Sequence, residues 1–494
     1  MNNRMMMWGG ILSEIRNSGK TRKETARMKT GYRMIIVVFG MLGLLVNPLQ
    51  AADRYVSPAG GNSSPYTNWA MAATSIQTAI TAASAGETVW VTNATYVLSA
   101  TITLNKNITV AAFDPAAKPV VDGNHAVKCI SISSSGAILD GLVVSNGYSA
   151  SGIGVGIYMT AGTVRNCDVV SNYGFNSGNV YGGGIALTAG LVTNCTIRNN
   201  YNRNGGGISL AGAGARVVGC TIDGNTAANV GGGGNFEGAG LIENCVFTNN
   251  FPAGIAGSGT GGNSVGAVVR NSRFVGNSGS GGGGVYVAAG MVISNCVIEG
   301  NRAAGEGGGV EINGLVVNCI IRGNTNSGSS GGGGVMGRAT TQAILRNCLV
   351  YSNVDASANA WGGICSVGSG TLLVESCTIA DNSGSGLGYG FGGSLVATNC
   401  IVYFNPNNPP AAVMKYSCAP GLSGGGNITG DPKFVNRAAG DYTLMGSSPC
   451  LNVGTNMDWM TGTTDLAGKA RITTSVVDMG AYEFAPKGST IDLY

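Results

Sequence analysis

The chain has 494 residues, of which 84 are glycine and only 11% are charged. Thirteen prolines and the lack of a strict every-third glycine exclude collagen, and an apolar share of 44% is too high for a disordered chain. The formal charge of +4 arises in residues 1–33, where eight Lys/Arg face Glu14 and Glu24; the remaining 20 basic and 22 acidic residues are near balance, so no nucleic acid or other polyanion gathered by charge is expected as a partner.

Within the basic run, NSGKT (17–21) is not a phosphate-binding loop, because the glycine such a loop needs at position 14 is Glu14. MIIVVFGMLGLLV (34–46) follows, then the small-residue exit NPLQAAD. Thirteen apolar or glycine residues fall short of the roughly twenty that span a bilayer. A signal peptide is expected, cut after Ala51, with an uncleaved signal anchor as the alternative. Met28 would begin a signal of ordinary length, and no cysteine follows the hydrophobic core to take a lipid. The expected divisions are a basic region (1–33), the signal core and cleavage region (34–52), a repeat body with an N-terminal cap (53–430), a C-terminal capping or anchor-type module (431–484) and a tail (485–494).

SIQTAITAAS (75–84) puts Ile76, Ala79, Ile80 and Ala83 on one helical face behind Ser75, an N-cap residue, and predicts a short lid helix. Strands are expected in ETVWVTN (87–93) and TITLNKNITVAAF (101–113). A repeat then takes over. Cys167, Cys195, Cys220, Cys245, Cys296, Cys319, Cys348, Cys377 and Cys400 share one seat, with Ser272 filling the gap, at steps of 23 to 29 residues. An apolar residue lies three before each seat, Val, Ile or Phe lies two after it, and asparagine lies five after it in all ten copies, from Asn172 to Asn405. LDGLVVSN (139–146) is expected as an eleventh copy with Gly141 in the seat.

Seat and +2 obey strand alternation, whereas the apolar residue at −3 breaks it, so a bend must intervene. The residue at −1 is asparagine in eight copies, Gly219 in one and Ser376 in one, and Asn and Gly enter left-handed backbone cheaply. A further strand follows each glycine run, as in GGGISL (205–210), GGGVYV (282–287), GGGVEI (307–312) and GGGVMG (332–337). Three short strands per copy, with no helical period, predict an all-β fold: a single-stranded parallel β-helix of about 13 rungs between residues 75 and 430. A propeller is disfavoured, since its blades need about 40 residues. Asparagines at one seat should stack in a ladder along the axis, and the small cysteine seat should be a column of free buried thiols. Cys129, Cys365, Cys418 and Cys450 lie outside the column; a Cys418–Cys450 bridge and two free thiols are equally open.

Several motifs carry a resemblance. RYVSPAGGN and SIQTAITAASAGETVWVTNATY resemble the entry to secreted pectate-lyase-like proteins, which implies a right-handed β-helix. The GGG[IV] turns, with FTNN (247–250) and FVGN (274–277), resemble the repeats of chlamydial polymorphic outer-membrane proteins. DPKFV, DYTL, SSPCLNVG, DLAGKARI and VDMGAYEF resemble the choice-of-anchor module of exported bacterial β-helix proteins. Autotransporter members of the second group end in a membrane barrel, for which the ten residues after Phe484 leave no room, so that reading expects a separately encoded barrel.

Chemistry is harder to find. There is no Asp-Asp pair, no D-x-D cluster for calcium and one histidine, His125, in VVDGNHAV. No catalytic, cofactor-binding or metal-ligating residue is assigned, and no cofactor is expected. Four charge pairs on adjacent rungs are expected as surface ladders: Arg198–Asp223, Glu299–Arg322, Glu243–Arg270 and Arg346–Glu375. Asp168, Glu311 and the Asp122–His125 corner lack a partner at their seats. Tyr181, Tyr286, Tyr351, Tyr403 and Trp361 are candidates either for stacking on sugars or for packing. The leading reading is an exported or cell-surface rod with a binding or structural role and a polysaccharide or cell-surface glycan as partner. The alternative is a polysaccharide lyase or glycoside hydrolase acting in a loop-lined groove.

Overall fold

The computed structural model describes residues 52–484 apart from 151, 176–180, 258–263, 330, 341, 358–360, 391, 408–413 and 474. The expected signal segment and the tail after 484 lie outside the described residues.

One turn shows how the sequence winds. Strand Ile185–Thr193 ends at Asn194, whose φ of 50° turns the chain. Cys195 then points inward, strand Thr196–Arg198 follows, and Asn199 (φ 54°) makes a second bend before Asn200. Strand Tyr201–Asn204 leads into Gly205–Gly207, and strand Ile208–Val218 begins the next turn directly above Ile185. Gly205 has φ 60°, and a Cβ on Gly207 would lie 2.5 Å from the carbonyl oxygen of Gly233 and 3.0 Å from Asn225 Cγ. Glycine is required there because backbone, glycine run and ladder asparagine meet without side-chain room.

Repetition of this turn builds a first sheet of 25 strands and a second of 13, with two four-stranded sheets from the segments after the ladder asparagines. Every pairing among these strands is parallel, and equivalent residues stand in register, as in Ile197 to Ile222 to Phe247 to Phe274. All ten residues before the seat have φ between 49° and 63°, as the repeat predicts. The second bend, four residues after each seat, was not expected; Ser171, Gly276, Asp381 and Phe404 are among its residues. Its mixed composition hid it, and with it the short strands of the four-stranded sheets.

The eleventh copy is shifted by one residue from the sequence expectation. Val143 pairs with Asp168 and Leu139 with Val164, so buried Leu142 fills the seat and Gly141 (φ 76°) is the bend. Gly147 then takes the ladder position, and its N–H donates to Asn172 Oδ1 at 2.9 Å.

From Asn172 to Asn405 the ladder has nine links of one geometry. The Nδ2 of Asn250 donates to Oδ1 of Asn277 at 2.9 Å and to the carbonyl of Ile222 at 3.0 Å, and its backbone N–H donates to the same Oδ1 at 3.0 Å. Both amide protons and the amide oxygen are thereby satisfied in a dry interior, where leaving them unpaired would cost about 1–3 kcal/mol per group. The cysteine column runs beside it: the Cys319 N–H donates to Cys348 Sγ at 3.4 Å, and Cys319 Sγ donates to the Val317 carbonyl at 3.3 Å. Ser272 fits because its Oγ takes the N–H of Cys245 at 3.1 Å. All thirteen thiols are free and buried.

The predicted lid helix spans Ile76–Ala82 and buries Ile76, Ala79 and Ile80, but the Ser75 side chain makes no capping bond. A strand absent from the expectation, Arg54–Val56, pairs with Thr88–Val91 at this end. At the other end Ala419 and Leu422 close the core. The C-terminal module does not sit on that end. Phe434, Tyr442, Cys450 and Met479 pack on the outer side of the second sheet, against Leu349, Ala380 and Ile401. The module holds itself with a buried network in which Arg471 pairs with Glu483 at 3.3 Å, and Glu483 N–H donates to Asp465 Oδ2 at 2.7 Å. Cys418 and Cys450 lie together in this interface as unbridged thiols, so the two-thiol alternative is the one found. Among the described residues no helix is long and apolar enough to cross a membrane.

Candidate functional site

The outside of the first sheet lacks the repetition of the inside. One exterior column reads Ser209, Asn235, Ala256, Tyr286, Glu311, Met336 and Cys365 in register. Small Ala256 beside Tyr286 leaves a hollow of about 470 Å³. Asn229, Pro252 and Ala253 line it, as do Ser280, Gly281 and Glu306 on the neighbouring strands Ser278–Gly281 and Arg302–Glu306.

Glu311 dominates this groove. Only 7% of it is exposed, and its carboxylate accepts no hydrogen bond among the described residues. Its one ionic neighbour is Arg338, with Nη1 3.9 Å from Oε1, and that nitrogen is already held in a close ion pair by Glu306. Burial pushes Glu311 up to about 7, Glu306 adds to the rise and Arg338 opposes it. Both protonation states are therefore populated near neutral pH. The approach is tight: a Cβ at Gly281 would collide with Glu311 Oε2. Tyr286 is half-buried one rung away, and burial raises its phenol above the ordinary value. Together these groups offer an aromatic face, a carboxyl without a hydrogen bond and a cation.

The sequence had singled out Glu311 and Tyr286 separately, and the fold brings them together. Glu306 and Arg338 were missed. Aligning the chain on its glycine runs, instead of its cysteines, stacks Tyr286, Glu311 and Met336 from GGGVYV, GGGVEI and GGGVMG. The other candidates lie elsewhere. Asp122 accepts the N–H of Asn124 at 2.8 Å in an exposed turn that includes His125. Tyr351 packs on Tyr442 and Tyr403 on Phe404 at the C-terminal module, while Trp361 packs on the Met336, Cys365 and Val367 cluster. Tyr181 faces Glu237.

Three of the four expected charge pairs form: Arg270–Glu243 and Arg346–Glu375, each at 2.8 Å, and Arg322 Nε to Glu299 at 2.8 Å. Arg198 and Asp223 do not form an ion pair; Asp223 instead takes the Thr248 hydroxyl at 2.6 Å and Asn249 Nδ2 at 2.9 Å, two shorter groups on the next rung. Asp168, expected to be unpaired, meets Lys118 at 3.1 Å. Lys118 lies outside the repeat, so no seat-by-seat alignment could find it.

Comparison with known proteins bears on the fold. Residues 154–314, 206–363 and 260–429 match the family described as the right handed beta helix region, and these segments jointly run over 154–429, more than half of the chain. No curated protein matches. Among solved structures, pectate lyase Pel9A is 16% identical, with 88% of this chain and 97% of that one covered at a TM-score of 0.30. The PL6 family alginate lyase AlyGC is 13% identical, with 72% and 52% covered at 0.42. The Siphovirus 9NA tailspike receptor binding domain is 10% identical, with 73% and 75% covered at 0.36. Likeness at these levels transfers no activity. With its strands stacked in parallel register about one core and more than half its length matched, the chain belongs to the right-handed β-helix family.

Proposed function

We propose that the protein is an exported or cell-surface rod that binds polysaccharide in the Glu311 groove. The observation that carries this reading is a nearly buried carboxyl, free of hydrogen bonds among the described residues, opening on a cavity beside a half-buried tyrosine ring. A carboxyl desolvated without a hydrogen bond is costly, and a sugar hydroxyl would supply the missing bond while the ring stacked on Tyr286. Export rests on residues 34–52 and is tested by N-terminal sequencing of the mature protein, which should begin at Ala52. The GGG[IV] turns with FTNN and FVGN, and the DPKFV to VDMGAYEF run, support repeats of the chlamydial outer-membrane type and an anchor-type module.

One feature favours a second reading, a polysaccharide lyase or glycoside hydrolase. A carboxyl titrating near 7 beside an arginine-bound carboxylate is suited to proton transfer to or from a glycosidic substrate. A panel of acidic and neutral polysaccharides, assayed for binding and for new unsaturated or reducing ends, separates the two. Binding that weakens in Glu311→Gln and Tyr286→Ala without new chain ends supports the first. Turnover abolished by Glu311→Gln establishes the second, and no interaction with any polysaccharide removes both.

A further inference from the structure

We propose that a second groove, at the N-terminal end of the rod, binds a short neutral oligosaccharide. Its floor and ends come from another exterior column of the first sheet, Trp90, Ala111, Asp140 and Arg165 in register. Small Ala111 separates the Trp90 ring on one side from Asp140 on the other. Thr88 and Thr109 extend the floor, and Pro115 and Lys118 form the side of a hollow of about 450 Å³. From Trp90 to Arg165 the column spans three strand spacings, about 14 Å.

Both ends of this hollow are held in place. Trp90 Nε1 donates to Asp53 Oδ2 at 2.9 Å, and Phe113 stands edge-on to the indole with centroids 6.4 Å apart. Trp69 packs on Phe113 at 4.7 Å and Tyr55 on Trp69 at 4.5 Å, so the plate rests on an aromatic cluster. At the far end Asp140 accepts Arg165 Nε and Asn166 Nδ2, both at 2.7 Å. The terminal nitrogens of Arg165 have no partner among the described residues.

Charge selects the ligand class. Arg165 is neutralised by Asp140, and Lys118 is neutralised by Asp168 at 3.1 Å, so no excess cation remains to hold an acidic sugar. An oriented aromatic face with alternating donors and acceptors matches the apolar face and the hydroxyls of a neutral pyranose. None of these residues lines the Glu311 groove, and the turn of Glu311 lies six rungs beyond Arg165, about 29 Å.

The test titrates the intact protein with cello-, malto- and mannopentaose and with oligogalacturonate, followed by calorimetry and tryptophan fluorescence. Wild type, Trp90→Ala, Ala111→Leu and Glu311→Gln are compared. Saturable binding of a neutral pentaose is expected, weakened about tenfold or more in Trp90→Ala and Ala111→Leu. Ala111→Leu fills the hollow from outside the core, and decides the matter if Trp90→Ala does not fold. Binding of oligogalacturonate alone, no binding of any neutral pentaose, or binding untouched by Ala111→Leu overturns the proposal. Loss only in Glu311→Gln assigns the sugar to the first groove and overturns it equally.

Discussion

The interior asparagine file and the exterior column through Ala256, Tyr286 and Glu311 are built on the same rungs and obey opposite rules. Inside, ten asparagines share nine links of one bonding scheme, and the eight between the ends are each satisfied by neighbours above and below. Outside, small, aromatic, acidic and apolar residues follow one another, and Glu311 is left without a hydrogen bond. Repetition marks residues whose partner is another copy of themselves. Its absence on a surface that is nonetheless half-buried marks residues whose partner is something else.

Removing one rung of the file should have the largest effect. Asn277→Ala takes the acceptor from the backbone N–H and the Nδ2 of Asn250 and leaves the Phe247 carbonyl without its donor. A loss of about 3–5 kcal/mol is expected in denaturant unfolding. Asn405→Ala, at the half-exposed last position, should cost only about 1 kcal/mol. Equal losses at the two sites would show that the file is not cooperative in the way its bonding implies.

The exterior column predicts the reverse sign. Glu311 titrates at about 7 in the folded chain, against an ordinary 4.5, so the folded state binds the extra proton between those values. Its contribution is intact below about pH 4.5 and is lost as pH rises through 7. Glu311→Gln should therefore stabilise the protein at pH 8 by up to about 3 kcal/mol, with the gain gone by pH 4. Thermal melts at the two pH values measure it, and a variant less stable at pH 8 would mean that the Arg338 pairing outweighs the desolvation of Glu311.

The thiol seat should respond by size. Cys319→Leu overfills it at a cost of about 2 kcal/mol, whereas Cys319→Ser should cost about 1 kcal/mol or less, since Ser272 already occupies an equivalent seat and bonds Cys245. Every thiol of the column is buried, so alkylation at pH 8 should label none of them until the protein unfolds. Mass spectrometry before and after denaturation reads this directly. The smallest effect belongs to the exposed charge ladder: Arg270→Ala, breaking the pair with Glu243, should change stability by less than about 1 kcal/mol.

The seat pattern made the file legible, and the bends too, because asparagine before the cysteine has a direct backbone meaning. The eleventh copy went astray by one residue because LDGLVVSN has no cysteine and its Asn146, a second-bend residue with φ 54°, stands five after Gly141 and mimics the ladder asparagine; only the pairing of Val143 with Asp168 fixes it. The docking of the C-terminal module left a fainter trace. The residue after the seat is Asp168, Thr196, Thr221, Val246 and Arg273 in early copies, one of the five apolar, and Val297, Ile320, Leu349, Thr378 and Ile401 in later ones, four of the five apolar. That drift toward apolar side chains on an outward position marks the face the module covers.

By itself the sequence determined the winding: a 23–29-residue period, strand alternation and left-handed bends admit one geometry in which buried asparagines and cysteines find like partners. It also determined that the interior would be dry and repetitive. Only the tertiary structure decided which outward residues stand side by side, because neighbours on a rod are separated by a whole turn of variable length. Glu306, Glu311 and Arg338 meet across such turns, and their meeting depends on loop lengths that no local pattern encodes.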